Sequence, residues 1–425
     1  MRTTGSSRSH GENTRAVHLP APPLPRQAPV GLPVWRAGAF AFAGAAEHAA
    51  LLSGRAPGYS YGRMANPTAD AFAAGLAALE GHGTSGPVEG EAFASGMAAA
   101  TAVLLAFTDA GAHVVAPAGP HRDLYALLDG LLSRFGVDAS YVDVADAAAA
   151  REAIRPTTRL IWAEVPGNPG LAVPDLPGLA ALARGAGALL AVDATLATPV
   201  VCRPLEHGAD LVVHSATAAI GGHGDATGGA VVGAPDLVEQ VRRVRVQTGA
   251  ALAPDEAFLL RRGLETLPLR VRRQCDTANL FAAAVARHPA VRSVDYPGLP
   301  GHRGHEQARA LFDAGPEGTR FGAAVTVTPS GGRRAGLALV DALRLATPAT
   351  CVGGTHTHVA HVASTTHRCH DDAALRAAGI DPGAVRFSVG LEDADDLVRD
   401  VTEALDTVGR TLDGVDGARL VADTH

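Results

Sequence analysis

Apolar residues fall along this chain in two alternating patterns. From about residue 67, Ala/Leu-rich stretches with one apolar helical face alternate with short runs that are apolar throughout. NPTADAFAAGLAALEG is of the first kind: it opens on a turn, offers Thr68 as an N-cap and places Phe72, Leu76 and Leu79 on one face. Of the second kind are HVVAP (113–117), RLIWAEV (159–165), ALLAVDAT (188–195), DLVVHS (210–215) and GAVVG (229–233). Runs apolar on both faces suit strands of a parallel sheet covered on each side, and the intervening helical stretches supply the crossovers. The expected fold class is therefore α/β. After about residue 245, PDEAFLLRRGLETLPLRVRRQCDTANLFAAAV predicts a long helix, followed by mixed strands and helices that suggest a second, smaller domain.

The expected organisation is an N-terminal arm over 1–55, a large domain over 56–245 and a C-terminal domain over 246–425. Met1 to about Pro33 is polar and then Pro-rich (LPAPPLPRQAP), too poor in apolar area to offset its ordering entropy, so the first part of the arm reads as disordered. With 425 residues, 47% hydrophobic, the chain is long enough to bury a sizeable core. The formal charge of −7 provides no basic stripe, so nucleic acid is not an expected partner. No apolar run reaches the ~20 residues of a membrane span, and the start lacks a signal peptide's apolar segment, so the expected location is cytoplasmic. Cys202, Cys275, Cys351 and Cys369 are scattered, which suits free thiols in a reducing compartment. One feature of composition is unusual: all 36 residues counted as Lys+Arg are arginine, and the chain contains no lysine.

In open α/β sheets, ligands bind where strands end. Asp193 ends one apolar run, Ser215 and Thr217 follow another, and Ser95-Gly96-Met97 precedes the helical AAATAVLLAF. A small-residue turn leading into a helix presents backbone N–H groups and a positive dipole end, which suit a phosphate. Taken singly, each of these is an ordinary cap or a solvated polar group; their joint placement points to a ligand site.

The ordered series YSYGRMANPT, ASGMAA, EVPGNP, AVDATLATP, RPLEHGADLVVHSAT, GGHGD, LLRRGLETLPLR, HVASTTH and VRFSVGLED, from about residue 55 to 405, resembles the cystathionine gamma-synthase family, the pyridoxal-phosphate (PLP) enzymes of Cys/Met metabolism. The resemblance implies a fold-type I, aminotransferase-like architecture with a mostly parallel seven-stranded sheet, an amino-acid substrate, and a homotetramer built as two active-site dimers. It also implies residue roles. Ser95, Gly96 and Met97 match the phosphate-binding turn, and Ser215 and Thr217 its hydroxyl contacts. Tyr61 and Arg63 match the pair that reaches the phosphate of a neighbouring subunit, where a guanidinium can bind bidentately. Asp193 matches the carboxylate facing the pyridine nitrogen, Asn168 the residue near the cofactor's phenolic oxygen and the substrate, and Arg386 the clamp on the substrate carboxylate.

The chain also departs from the family pattern. His121 stands where a tyrosine stacks on the cofactor ring, and an imidazole can both stack and transfer protons near neutral pH. It is followed by Arg122, Asp123 and Leu124 where the family has Gly-Gly-Thr. Cys351 replaces a serine beside the substrate carboxylate, His356-Thr357 replaces Glu-Ser, and Ala194 replaces an asparagine. The histidines between Cys351 and His370 are dense enough to raise a metal site, but His361 and His367 match an ordinary family segment and no metal is expected.

The largest departure lies in HSATAAIGGHGDATGG (214–229): Ala218 occupies the position of the family's cofactor-bearing lysine. A lysine there binds the cofactor covalently, speeds its transfer to the substrate and shuttles protons, none of which a methyl group does. Two explanations stand: a lysine-to-alanine substitution that traps intermediates, favoured by retention of the phosphate turn, Tyr61, Arg63, Asp193, Ser215, Thr217 and Arg386, or a natural lysine-less protein with a binding or regulatory role. The expected parent reaction is γ-replacement on a sulfur-containing or O-activated homoserine-type amino acid, with γ- or β-elimination as the alternative.

Overall fold

The computed structural model describes residues 28–119, 122–316, 318–368 and 370–422, with side chains described as far as residue 410. The disorder expected at the start of the arm, and His121 itself, lie outside the described residues. The principal helices are α1 (Ala45–Leu52), α2 (Pro67–Glu80), α3 (Gly96–Phe107), α4 (Arg122–Tyr125), α5 (Leu176–Ala186), α6 (Pro235–Thr248), α7 (Pro254–Val285), α8 (Gly332–Ala342) and α9 (Ala394–Ala422).

A seven-stranded sheet has the order β1-β7-β6-β5-β4-β2-β3, with β1 at Glu89–Phe93, β2 at His113–Pro117, β3 at Asp138–Val142, β4 at Thr158–Glu164, β5 at Leu189–Asp193, β6 at Leu211–Ser215 and β7 at Gly229–Gly233. β2 through β6 pair parallel, while β7 is antiparallel to both β6 and β1, so β7 alone runs against the rest. The expected strands are therefore present, but GAVVG is reversed: its fully apolar sequence marks burial on both faces, not direction.

Alternation along the strands sends Ile161, Leu190 and Val212 to a core shared with α2, α5 and α7, and Trp162, Ala191 and Val213 to one shared with α3 and α6. Each fully buried Leu, Ile or Val of these layers contributes about 1.5–3 kcal/mol. Capping differs from expectation at α2. Asn66, not Thr68, is the N-cap, its side chain accepting from Thr68 N at 2.9 Å with Pro67 in the first helical turn. The Thr68 hydroxyl instead accepts from Trp35 N at 3.0 Å and donates to Pro33 O at 3.1 Å, tying the arm to the helix.

The long segment after residue 250 is the 32-residue helix α7. Beyond it, β8 (Val291–Asp295), a two-stranded ribbon of β9 (Ala314–Gly315) and β10 (Gly318–Thr319), then β11 (Ala324–Pro329), β12 (Thr347–Pro348), β13 (His358–His361) and β14 (Val385–Ser388) complete the strands. The five-stranded sheet has the order β12-β13-β14-β11-β8 and packs with α7, α8 and α9 around its own core, which includes Phe281, Leu339, Phe387 and Leu405.

Candidate active site

The parallel strands end together on one edge of the large sheet, and that edge carries the polar groups. Trp162 and Glu164 share one face of β4, Glu164 is in register with Asp193 on β5, and Ser215 ends β6 beside Gly229. Immediately after β1, Ser95 caps α3 by accepting from Ala98 N at 3.1 Å, which leaves the next amides of the helix start facing the same edge. Gly96 has a steric reason: a Cβ there would lie 2.6 Å from Ser215 Cβ and 2.8 Å from its Oγ.

These groups enclose a cavity of about 230 Å³ between the large sheet and the C-terminal sheet. Its wall includes Gly96, Met97, Asn168, Asp193, Ser215, Thr217, Ala218, Cys351 and Arg386. The expected residues are thus brought together, with four qualifications. Ser95 is not on the wall; its hydroxyl is consumed as the helix cap. Thr357 is not on the wall either: it is fully buried, donating to Glu392 Oε2 at 2.7 Å and accepting from Gly390 N at 2.9 Å, so it braces the loop behind Cys351. Tyr61 and Arg63 are exposed and outside their own cavity. His121 is undescribed, though Leu124, three residues on, is buried on the wall.

The local bonding defines what each group can do. Asp193 Oδ1 accepts from Thr195 N at 2.9 Å, and Thr195 Oγ1 accepts from Ser215 N at 2.8 Å, so one short turn sets both the carboxylate and the serine. Thr217 Oγ1 accepts from Gly228 N at 3.0 Å and donates to Gly228 O at 3.3 Å, a long bond from which its proton can swing toward a ligand. Ala218 is itself buried and lines the cavity. The turn that follows is fixed by buried Arg270, which donates to Ala219 O at 2.6 Å, Ile220 O at 3.2 Å and Gly263 O at 2.7 Å.

Arg386, on β14, is 4% exposed; Nη1 donates to Asn168 Oδ1 at 3.0 Å, and among the described residues it has no carboxylate in ion-pair contact and no hydrogen-bond partner for Nε. Burial pushes its pKa down to about 10, the direction expected of a desolvated cation. A buried guanidinium with a vacant donor is costly until an anion meets it. The donor set fits PLP and an amino acid: helix-start amides and hydroxyls for a phosphate, a carboxylate for a ring nitrogen and a guanidinium for a substrate carboxylate.

Sequence reasoning missed Glu164, Trp162, Thr195 and Thr366, all on the wall. Glu164 is buried and accepts from Asn168 N at 3.3 Å; as the last residue of β4 it was open to the same strand-end argument that selected Asp193. Trp162 carries a buried Nε1 with no hydrogen-bond partner among the described residues, which no sequence signal separates from an ordinary core tryptophan.

The fold and this site define a PLP-dependent enzyme of the aminotransferase-like class. The chain belongs to the Cys/Met metabolism PLP-dependent enzyme family, whose model matches residues 13–406. It is 38% identical over 403 residues to an L-methionine gamma-lyase of Pseudomonas putida, covering 94% of this chain and 98% of that one. It is also 38% identical over 403 residues to a cystathionine gamma-synthase of Mycobacterium tuberculosis, covering 95% and 98%. Among solved structures, a cystathionine gamma synthase from Xanthomonas oryzae in complex with aminoacrylate and cysteine superposes with a TM-score of 0.82 at 34% identity, covering 90% of this chain and 94% of that one.

Proposed function

We propose that this chain is a γ-synthase-like member of the family whose site is built for γ-replacement on a sulfur-containing or O-activated homoserine-type amino acid, and that Ala218 stands where a lysine completes that site. The observation that carries this reading is the placement of Ala218 on the wall of a cavity that also brings Asp193, Ser215, Thr217, Asn168 and Arg386 together.

When bound, PLP supplies an electron sink for a carbanion at the substrate Cα. The Gly96 and Met97 amides and the Ser215 and Thr217 hydroxyls bind its phosphate. Asp193 keeps the pyridine nitrogen protonated. Arg386, oriented by Asn168, fixes the substrate carboxylate, with Cys351 beside it. An amine at position 218 would anchor the cofactor and carry protons to and from the substrate carbons. A methyl does neither, so the chain as written binds PLP noncovalently and turns over very slowly or not at all. The stacking and proton-transfer role of His121 rests on the family resemblance alone.

The same proposal includes a homotetramer of active-site dimers. Tyr61 and Arg63 stand exposed and outside their own cavity, which suits residues that complete the site of a second copy. A cytoplasmic location fits the free thiols of Cys202, Cys275 and Cys351.

Equal identity to a methionine gamma-lyase and to a cystathionine gamma-synthase keeps elimination as the second reading. The Ala218→Lys protein decides. With PLP it should develop the visible absorbance of a lysine-bound cofactor; absence of that band would favour a lysine-less protein with a binding or regulatory role. Offered O-acetylhomoserine, cystathionine and methionine, with and without added nucleophiles, it should yield an amino-acid adduct. Release of 2-oxobutanoate and ammonia from all three, without adduct, would identify a lyase.

A further inference from the structure

Tyr61 and Arg63 are held by a buried ion pair that does not itself touch the cavity. Arg245, in the last turn of α6, is 5% exposed; its Nη1 donates to Arg63 O at 2.9 Å and its Nη2 to Met64 O at 2.6 Å. Its Nε lies 2.5 Å from Glu91 Oε1 on β1, and the other oxygen of Glu91 accepts from Arg242 Nε at 2.6 Å. The lock is reciprocal, because Arg63 Nη1 donates to Val246 O at 2.6 Å. The Arg63 guanidinium also sits 5.6 Å from the centroid of the Tyr61 ring.

Burying Glu91 and Arg245 beneath a surface turn removes two charges from water, and such pairs commonly return little net stability. What this pair does is fix the backbone: two guanidinium donors grip the consecutive carbonyls of Arg63 and Met64, so the turn that carries the exposed Tyr61 and Arg63 side chains is held in one place. An exposed turn without that grip samples many conformations and must be ordered when a ligand arrives.

We infer that Glu91 and Arg245 are positioning residues that hold the Tyr61–Arg63 turn ready to meet the cofactor phosphate in a second copy of this chain. In the assembled site Arg63 exchanges its bond to the Val246 carbonyl for a bond to phosphate, while Arg245 keeps the turn in place. This rests on the reading that Tyr61 and Arg63 act on a neighbouring subunit's phosphate.

The test measures PLP affinity by fluorescence titration, with oligomeric state followed by light scattering. Arg63→Ala should weaken PLP binding about tenfold or more, as loss of a charge-assisted phosphate contact does. Arg245→Gln and the near-isosteric Glu91→Gln should each weaken it several-fold with the oligomer intact. The Arg245→Gln protein is then reassorted with a Ser215→Ala/Thr217→Ala protein. Each hybrid dimer should regain one tight site, because the intact phosphate pocket of the first chain meets the intact turn of the second. An unchanged affinity for Arg63→Ala would remove the reading beneath the inference. A weakened Arg63→Ala with an unchanged Glu91→Gln, or weakened singles with no recovery on mixing, would overturn the inference itself. Should Arg245→Gln not fold, the same mixing is done with Glu91→Gln.

Discussion

Arg386 Nη1 donates to Asn168 Oδ1 across 3.0 Å, joining a strand of the C-terminal sheet to the loop that follows β4. The contact is reinforced nearby, where Thr326, paired with Arg386 across β11 and β14, donates to Pro169 O at 2.7 Å. The loop and the arginine therefore share one fixed frame, and the guanidinium enters the cavity with its edge already aimed.

Arg386→Gln is expected to weaken binding of an amino-acid ligand to the PLP-loaded chain by ~10- to 100-fold, the worth of a hydrogen-bonded charge pair. Asn168→Ala should cost less, by about fivefold, since it removes only the orienting bond. Spectral titration measures both. Although burial moves the Arg386 pKa down to about 10, the group stays cationic at neutral pH and a bound carboxylate favours that form. Carboxylate affinity should therefore hold steady from about pH 7 to about pH 9 and fall only as pH rises through about 10. Equal loss for Arg386→Gln and an exposed Arg→Gln control would contradict the clamp.

The three described cysteines should separate cleanly by reactivity. Burial pushes the Cys275 thiol up to about 12 and raises Cys202 further, so neither offers thiolate to an alkylating reagent at mildly alkaline pH while the protein is folded. Cys351 lies on the cavity wall and is only half-buried. Peptide mapping after brief iodoacetamide treatment is expected to find Cys351 modified before Cys202 and Cys275, and PLP to protect it. Labelling of Cys275 at a comparable rate would contradict the packing of α7.

Much of this arrangement was legible in the sequence, because apolar runs and small-residue turns report burial and strand ends directly. HVVAP and GAVVG mark β2 and β7 to the residue, and Asp193 and Ser215 lie where strand-end reasoning places them. What escaped has a physical cause in each case. β1 (EGEAF) carries Glu91, whose charge hides a strand because Arg242 and Arg245 that neutralise it come from residues far along the chain. β3 (DASYV) is an edge strand, only partly buried and so not apolar enough to stand out. Thr68 has the residue type of an N-cap, but Asn66 before Pro67 is better placed and the arm claims the threonine.

Behind the site, His214 Nε2 and Glu80 Oε1 meet at 2.6 Å with both side chains fully buried, joining the end of α2 to the strand residue just before Ser215. Glu80 Oε2 and His214 Nδ1 have no hydrogen-bond partners among the described residues, so the pair rests on this one contact. Removing one member strands the other in an apolar layer. Glu80→Ala is expected to destabilise the protein by about 1–3 kcal/mol, the cost of leaving a buried ring nitrogen unsatisfied, read as a shift of the urea midpoint. A smaller loss for Glu80→Ala/His214→Ala than the sum of the single changes would show the coupling.

The sharpest steric prediction concerns Gly96. Its φ does not demand glycine, so the requirement is space: an alanine methyl would meet Ser215 at 2.6 Å, where Ser215 is fixed by Thr195 through its backbone N–H. Either the α3 start or the end of β6 must move, and such overpacking costs about 1–3 kcal/mol. The same displacement spreads the helix-start amides from the Ser215 hydroxyl, so PLP affinity should fall at least tenfold, as when a charge-assisted contact is lost. Gly86→Ala, where a Cβ would meet nothing within 4 Å, is the matched control and should change neither stability nor affinity. Equilibrium unfolding and PLP titration of the two variants check this together. If Gly96→Ala loses stability but keeps its affinity, the phosphate is not held between α3 and Ser215, and the assignment of that cradle fails.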